Sequence, residues 1–253
     1  MRQDVRAPFV EALQRARLSA YAEGEFVGQE SFMRASEILE LGRKAGLGPG
    51  VSLLYLCCGV AGPGRYLTAQ LGCTYVGVDY SCSAVEIARE LAGDLPCRFE
   101  VGRVPPLPAG SYEVVMLLET ILAFEDKPAL LAEVERGLAP GGRFAFTLEE
   151  GLPLSSDERL RMPDADTVWL TPLDSMLEML AALGLRVDWQ TDCSAAHLQM
   201  VSCLLAAFEA EAEEIVLQIG EKALHELLEA HRLWRDWLSS GRVRKFALVA
   251  VKA

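Results

Sequence analysis

The sequence predicts an α/β domain: a seven-stranded, mostly parallel sheet with helices on both faces and a helical insertion before the last strand. Three observations carry this. Short apolar runs alternate with helical patterns between residues 51 and 150. The runs are almost continuously apolar, as strands buried on both faces require. A glycine-bearing loop, CGVAGPG, follows the first run and leads into a helix.

Taken in order, 8–22 and 29–46 read as helices with apolar residues near i, i+3 and i+4, separated by the linker YAEGEFVGQE. VSLLYLC (51–57) is the first strand, and 62–72 is a helix with Pro63 in its first turn. CTYVGVD (73–79) is the second strand, followed by a helix over 82–92 capped by Ser81. PCRFEVG (96–102) and SYEVVMLLE (111–119) are the third and fourth strands. A helix over 127–139 stops at Pro140-Gly141-Gly142, before a fifth strand at 143–150. Thr171 as N-cap, Pro172 at the first position and Gly184 as C-cap frame the next helix. LRVDWQT (185–191) and RKFALVAVK (244–252) are the last strands. Between them, 204–238 reads as one long amphipathic stretch with Phe208, Ile215, Ile219, Leu227 and Trp234 near one stripe. It is expected over the ligand-binding end of the sheet, or else as a plain packing helix. Three parts follow: N-terminal helices over 1–48, a core of 49–192 plus 242–253, and the insertion 193–241.

Composition narrows the function. The net charge of −12 repels phosphate backbones, which excludes nucleic acid as the expected partner. No apolar run reaches the roughly 18 residues that span a bilayer, and the mainly acidic polar face of 204–238 argues against a membrane-surface helix. MRQDVRAPFVEALQRARL lacks an apolar signal core, so a cytoplasmic protein is expected. The seven cysteines show no CxxC pair and read as free thiols in a reducing compartment, with no metal site expected. Asp164 and Asp166 lack a third ligand and read as a solvated loop.

The loop over 58–64 and Asp79, twenty residues after Gly59, carry the most information. Glycine lets the backbone turn tightly beside a ligand, and the helix beyond presents donor N–H groups. A carboxylate ending the second strand can accept hydrogen bonds from both hydroxyls of a ribose. Together they point to an adenosine ligand. A dinucleotide loop reads GxGxxG, but here Ala61 takes the second glycine's place and Pro63 withholds an N–H, which suits an adenosine ligand without phosphate.

These segments resemble a known family. LYLCCGVAGPGRYL (54–67) is similar to the first motif of class I S-adenosylmethionine-dependent methyltransferases of the small-molecule type. VGVDYS (76–81) resembles their second motif, and 106–147 resembles the fourth strand through the Pro-Gly-Gly turn. The likeness runs in order over about residues 20–192 plus the last strand, and it implies a Rossmann-like fold. It also implies S-adenosylmethionine as cofactor, S-adenosylhomocysteine as product, and a small-molecule substrate taken by a monomer or homodimer. By resemblance, Cys58, Gly59, Gly62 and Gly64 face the methionine part, Asp79 holds the ribose, and Tyr80 lies beside the adenine. Gly102, Arg103 and Val104 lie along the adenine edge. Leu118, Glu119 and Thr120 line the meeting point with substrate, and Tyr21 and Gln29 close over the amino-acid end. Four positions depart from the family: Tyr55 stands for an acidic residue, Cys57 and Ala61 for glycines, and Arg103 for an Asp that meets the adenine amino group.

Methyl transfer from a sulfonium needs alignment and exclusion of water more than bond activation. Glu119 is one candidate base, with a pKa raised by desolvation, or else a simple hydrogen-bonding partner. His197, at the mouth of the insertion, is the second candidate, while His225 and His231 read as structural. The competing functions are a cyclase or isomerase that keeps the cofactor, and a non-catalytic binding module.

Overall fold

The computed structural model describes residues 10–253. Residues 1–9, part of the expected N-terminal helices, lie outside the described segment. The elements run α1 (Glu11–Ala20), α2 (Ala35–Lys44), β1 (Ser52–Leu56), α3 (Gly62–Leu71), β2 (Thr74–Asp79), α4 (Cys82–Ala92), β3 (Cys97–Val101) and β4 (Tyr112–Leu117). They continue with α5 (Lys127–Gly137), β5 (Leu138–Glu150), α6 (Ser156–Arg161), α7 (Leu173–Ala182), β6 (Leu185–Asp192), α8 (Ser194–Ala210), α9 (Ala212–Ile219), α10 (Glu221–Ser240) and β7 (Arg244–Lys252).

The seven strands form one sheet in the order β3-β2-β1-β4-β5-β7-β6. The pairings among β1 to β5 are parallel, and β7 runs antiparallel to both β5 and β6. The chain works outward from β1 to β3, then returns to place β4 on the other side of β1. That reversal opens a crevice at the carboxyl ends of β1 and β4, where ligands bind in such sheets.

Period-two alternation divides the core between the two faces. Leu53, Tyr55, Val114 and Met116 pack with Ile38 and Leu41 of α2, Leu67 of α3 and Val85 of α4. Leu54, Leu56, Val115 and Leu117 pack with Leu130 and Val134 of α5 and Met176 and Leu180 of α7. A third cluster joins Leu13 and Ala16 of α1 to Leu204 and Phe208 of α8, Ile215 of α9 and Leu224 of α10, forming a cap with its own core.

Several sequence expectations change. The second helix begins at Ala35, not 29, because 29–34 forms a side-chain-tied loop described below. The stretch 204–238 is not one helix. It belongs to three, broken at Glu211 and at Gly220, whose φ of +84° no helix accommodates. Helix α5 ends at Gly137, and β5 starts there, with a register shift opposite Tyr112–Val114 that absorbs the Pro-Gly-Gly as a bulge. Thr171 bridges Glu150, which leaves Pro172 as the N-cap of α7. Ser81 caps α4 as expected, accepting the Ala84 N–H at 3.2 Å. Among the described residues no helix is long and apolar enough to cross a membrane.

Candidate active site

Two cavities meet at the carboxyl ends of the central strands. The first, of about 250 Å³, lies between the loop after β1 and the linker joining α1 to α2. The chain turns there through Cys57, Gly59 and Ala61, with φ of +54°, +54° and +63°. Glycine takes this conformation freely, whereas it costs an L-residue about 1–2 kcal/mol, so Cys57 and Ala61 hold strain at the cavity's edge. A Cβ on Gly59 would meet nothing within 4 Å, so the turn borders open space.

Asp79 ends β2 and lines the same cavity. Two backbone donors orient its carboxylate: Gly59 N–H to Oδ2 and Ser81 N–H to Oδ1, each at 2.9 Å. Each oxygen retains a second lone pair, so the cavity wall carries a fixed pair of acceptors. Tyr80 follows with an exposed ring, and the Arg103 guanidinium stacks over it at 5.4 Å from the centroid. The backbone N–H of Gly102 donates to Asp79 O at 2.9 Å.

The linker forms the opposite wall. Gln29 is buried and uses its whole amide on the linker itself. Its Oε1 accepts Val27 N–H at 2.6 Å, and its Nε2 donates to Glu25 O and Met33 O at 2.8 and 2.9 Å. Tyr21 OH donates to Ser31 O at 2.5 Å. These bonds pin residues 28–31 as a strap across the cavity. Gly62 lies under the strap so closely that a Cβ would stand 2.3 Å from Val27 O.

The second cavity, also about 250 Å³, lies beyond the strap beneath α8 and α10. Tyr21, Phe32, Leu204, Phe208, His231 and Trp234 wall it, and Arg17, Glu30, Glu119, Glu149 and Lys245 supply its polar groups. Gln29, Glu30, Ser31 and Glu119 belong to both linings, so they are the partition. Lys245 Nζ donates to Glu119 Oε2 at 2.5 Å and to Glu149 Oε1 at 2.8 Å. Glu149 and Lys245 are direct cross-strand partners in the β5–β7 register. Burial disfavours the lysine's charge, but the two carboxylates outweigh it and hold its pKa above the ordinary value. The ammonium also stands 5.0 Å from the centroid of Phe32. Glu119 sits in the left-handed region at φ +53°, and its N–H donates to Thr147 Oγ1 at 2.5 Å. His231 meets the rings of Phe32 and Phe208 edge-on and bonds Leu227 O through Nδ1 at 2.8 Å. That bond makes Nδ1 the donor and leaves Nε2 as the acceptor. Burial lowers the pKa of His231 to about 4, so the ring is neutral.

Known proteins share part of this sequence and this fold. A family model described as a methyltransferase domain matches residues 54–146, from β1 into β5. Phosphoethanolamine N-methyltransferase 1 of Arabidopsis thaliana is 34% identical over 122 residues, covering 47% of this chain and 24% of that protein. Over residues 54–146 the chain is thus similar to methyltransferase domains. Nocamycin O-methyltransferase of Saccharothrix syringae is 36% identical over 107 residues, 39% of this chain and 38% of that protein. The match thus spans less than half the length of either relative. In fold, the chain is similar to the cyclopropane synthase MmaA2 of Mycobacterium tuberculosis, with a TM-score of 0.83 at 14% identity over 97% of this chain and 95% of that one.

Within this fold, Gln29, Cys58, Gly59, Asp79, Tyr80, Leu118, Glu119 and Thr120 line the first cavity together. Other residues singled out in the sequence fall elsewhere. Tyr21 lines the second cavity. Gly62 and Gly64 serve packing: a Cβ on Gly64 would stand 2.3 Å from the buried ring of Tyr75. Gly102, Arg103 and Val104 lie outside the lining, with Arg103 against the outer face of Tyr80. Glu119 is buried and ion-paired with Lys245, a partner the sequence reading did not supply. His197 is 1% exposed in the first turn of α8 and lines neither cavity; its Nδ1 stands 3.7 Å from Glu119 Oε1, which leaves no room between them for a substrate. Sequence reasoning missed Lys245 and Glu149, and it read His231, which lines the second cavity, as structural. Charges inside otherwise apolar strands, in TLEE and RKFALVAV, were the available signal for the first two.

Proposed function

We propose that this chain transfers a methyl group from S-adenosylmethionine to a small-molecule nucleophile held in the second cavity. The carrying observation is the arrangement of two cavities that share only Glu119 and the 29–31 strap, one carrying the oriented Asp79 carboxylate and the other walled by aromatic rings. The residues of the first cavity fit the cofactor: Asp79 offers two fixed acceptors to a ribose, and the space beside Gly59 leaves the turn open to the amino-acid portion. When bound, S-adenosylmethionine supplies a methyl group already activated by its sulfonium. The chain's own residues then bind, orient and exclude water. Phe32, Phe208 and Trp234 exclude water from the acceptor. The neutral Nε2 of His231 accepts a hydrogen bond from an acceptor O–H or N–H. The Lys245–Glu119–Glu149 cluster fixes the partition, so the two ligands approach along one line, an arrangement worth roughly 7–11 kcal/mol when well set. The segment before β1 closes the cofactor side, and α8–α10 close the acceptor side. Seven thiols without a disulfide support a cytoplasmic location.

The test has two steps. Calorimetric titration with S-adenosylmethionine should show one site, weakened in Asp79→Ala. Methyl-labelled cofactor should then pass label to a small molecule from a metabolite extract, and Phe208→Ala should raise KM for that acceptor more than it lowers kcat. No heat of binding and no label would overturn the reading.

A further inference from the structure

Among the described residues His197 is the least satisfied buried side chain. Its ring is 1% exposed, and neither nitrogen has a hydrogen-bond partner. A buried polar atom left unpaired costs about 1–3 kcal/mol, so the ring calls for an occupant beside it. The groups around it share one chemistry. One ligand atom each from His197, Cys193 and Glu37 lies within 4.8 Å of the others. Cys193 is the N-cap of α8, and the four-residue step to His197 sets both on one face of the first turn. Glu37 comes from the first turn of α2. Its Oε2 accepts the backbone N–H and the Nε of Arg34 at 2.8 and 3.1 Å, which fixes the carboxylate and leaves Oε1 without those donors.

We propose that Cys193, His197 and Glu37 bind one divalent transition-metal ion of the zinc type. Thiolate, imidazole and carboxylate all ligate zinc, at about 2.3, 2.0–2.1 and 2.0–2.2 Å. Three such atoms on a tetrahedral ion stand roughly 3.3–3.8 Å apart, so side-chain adjustments of about an ångström bring the cluster onto a metal. Nδ1 of His197 faces Glu119 Oε1, itself unpartnered, at 3.7 Å, and this leaves Nε2 for the ion. A carboxylate behind a metal-bound imidazole is the usual supporting arrangement, because it holds the tautomer and the ring plane. Charge is balanced as well: Glu37, Glu119, Glu149 and a Cys193 thiolate oppose Arg34, Lys245 and the dication. Burial keeps His197 neutral, with its pKa lowered to about 3, and pushes the Cys193 thiol up to about 12. The ion must therefore displace the thiol proton, which makes binding tighten with rising pH. Bound there, the metal ties α2 to α8 directly behind Glu119, the residue common to both cavities.

The experiment titrates the metal-stripped full chain with Co²⁺ and follows absorption, then displaces the cobalt with Zn²⁺. One equivalent of cobalt is expected, with a thiolate-to-cobalt charge-transfer band that zinc removes. Cys193→Ser should abolish that band, and Glu37→Gln should weaken binding by about tenfold or more while the band persists. Circular dichroism establishes that each variant is folded; where Cys193→Ser is not, the affinity loss in Glu37→Gln decides. No saturable binding, a charge-transfer band that survives Cys193→Ser, or an unchanged affinity in Glu37→Gln overturns the proposal.

Discussion

Lys245→Met removes the cation that pairs both Glu119 and Glu149. The side chains of Lys245, Glu119 and Glu149 are only 3%, 8% and 1% exposed, so water cannot replace the lost partner. Breaking a buried pair from one side leaves an uncompensated charge and costs about 3–5 kcal/mol. For a chain of this size 1 kcal/mol moves Tm by about 2–4 °C, so the midpoint should fall by about 6–20 °C. The pH dependence follows from the raised pKa of Lys245. A raised lysine contributes its full stability below the unfolded value, near 10.4, and loses it only as pH climbs through the folded value. Wild type therefore keeps this contribution from pH 5 to 9. The variant instead carries two unpaired carboxylates that protonation relieves, so its deficit should shrink as pH falls towards 5. The double variant Lys245→Met/Glu149→Gln, which removes one stranded charge, should recover part of the loss. Scanning calorimetry of the three proteins at pH 5, 7 and 9 reads all of this. A loss under about 1 kcal/mol at pH 7, or a double variant no more stable than the single, would refute the account of a buried, charge-balanced cluster.

Three further outcomes are expected. Asp79→Asn keeps the shape but turns an amide N–H towards one of two backbone donors, losing a charge-assisted bond worth about 1.5–3 kcal/mol; calorimetry should show S-adenosylmethionine affinity reduced by about tenfold or more, and wild-type affinity would place the ligand elsewhere. Gly64→Ala should destabilise by about 1–3 kcal/mol in urea unfolding, since its Cβ would lie 2.3 Å from the Tyr75 ring, whereas Gly59→Ala, beside open space, should cost only the left-handed strain; equal losses would contradict the distinction. His197 and His231 have pKa values lowered to about 3 and 4 by burial, so below the ordinary value near 6.5 the unfolded chain takes up protons that the folded chain refuses. Stability should fall between pH 6.5 and 5 by about 2 kcal/mol per histidine, and His231→Gln should lose about half of that slope; an unchanged slope in the variant would show that His231 is protonated when folded.

What the sequence made legible was local. Gly59 and Asp79 lie at a turn and at a strand end, where spacing along the chain fixes position, and they line one cavity. The glycines at 62 and 64 were read as ligand-facing because spacing cannot reveal that Val27 and Tyr75 close over them. Lys245 and Glu149 depend on an antiparallel register between strands 96 residues apart, which no local pattern encodes. The places of the two histidines were hidden for a similar reason. A single helix over 204–238 keeps His231 on a packing face, but the breaks at Glu211 and Gly220 fold α10 back and turn His231 to the second cavity. The lone glycine in LQIGEKAL was the visible sign of that break.

The cap's separate apolar core carries an evolutionary consequence. Leu204 and Phe208, which wall the acceptor cavity, belong to the cluster shared by α1 and α8–α10 and to neither sheet-face cluster. Their substitution alters the shape presented to an acceptor while the layers that support Gly59 and Asp79 stay packed. Under the proposed function, selection can diversify the acceptor while conserving the donor side, and directed libraries confined to α8 and α10 are the efficient way to retarget this protein.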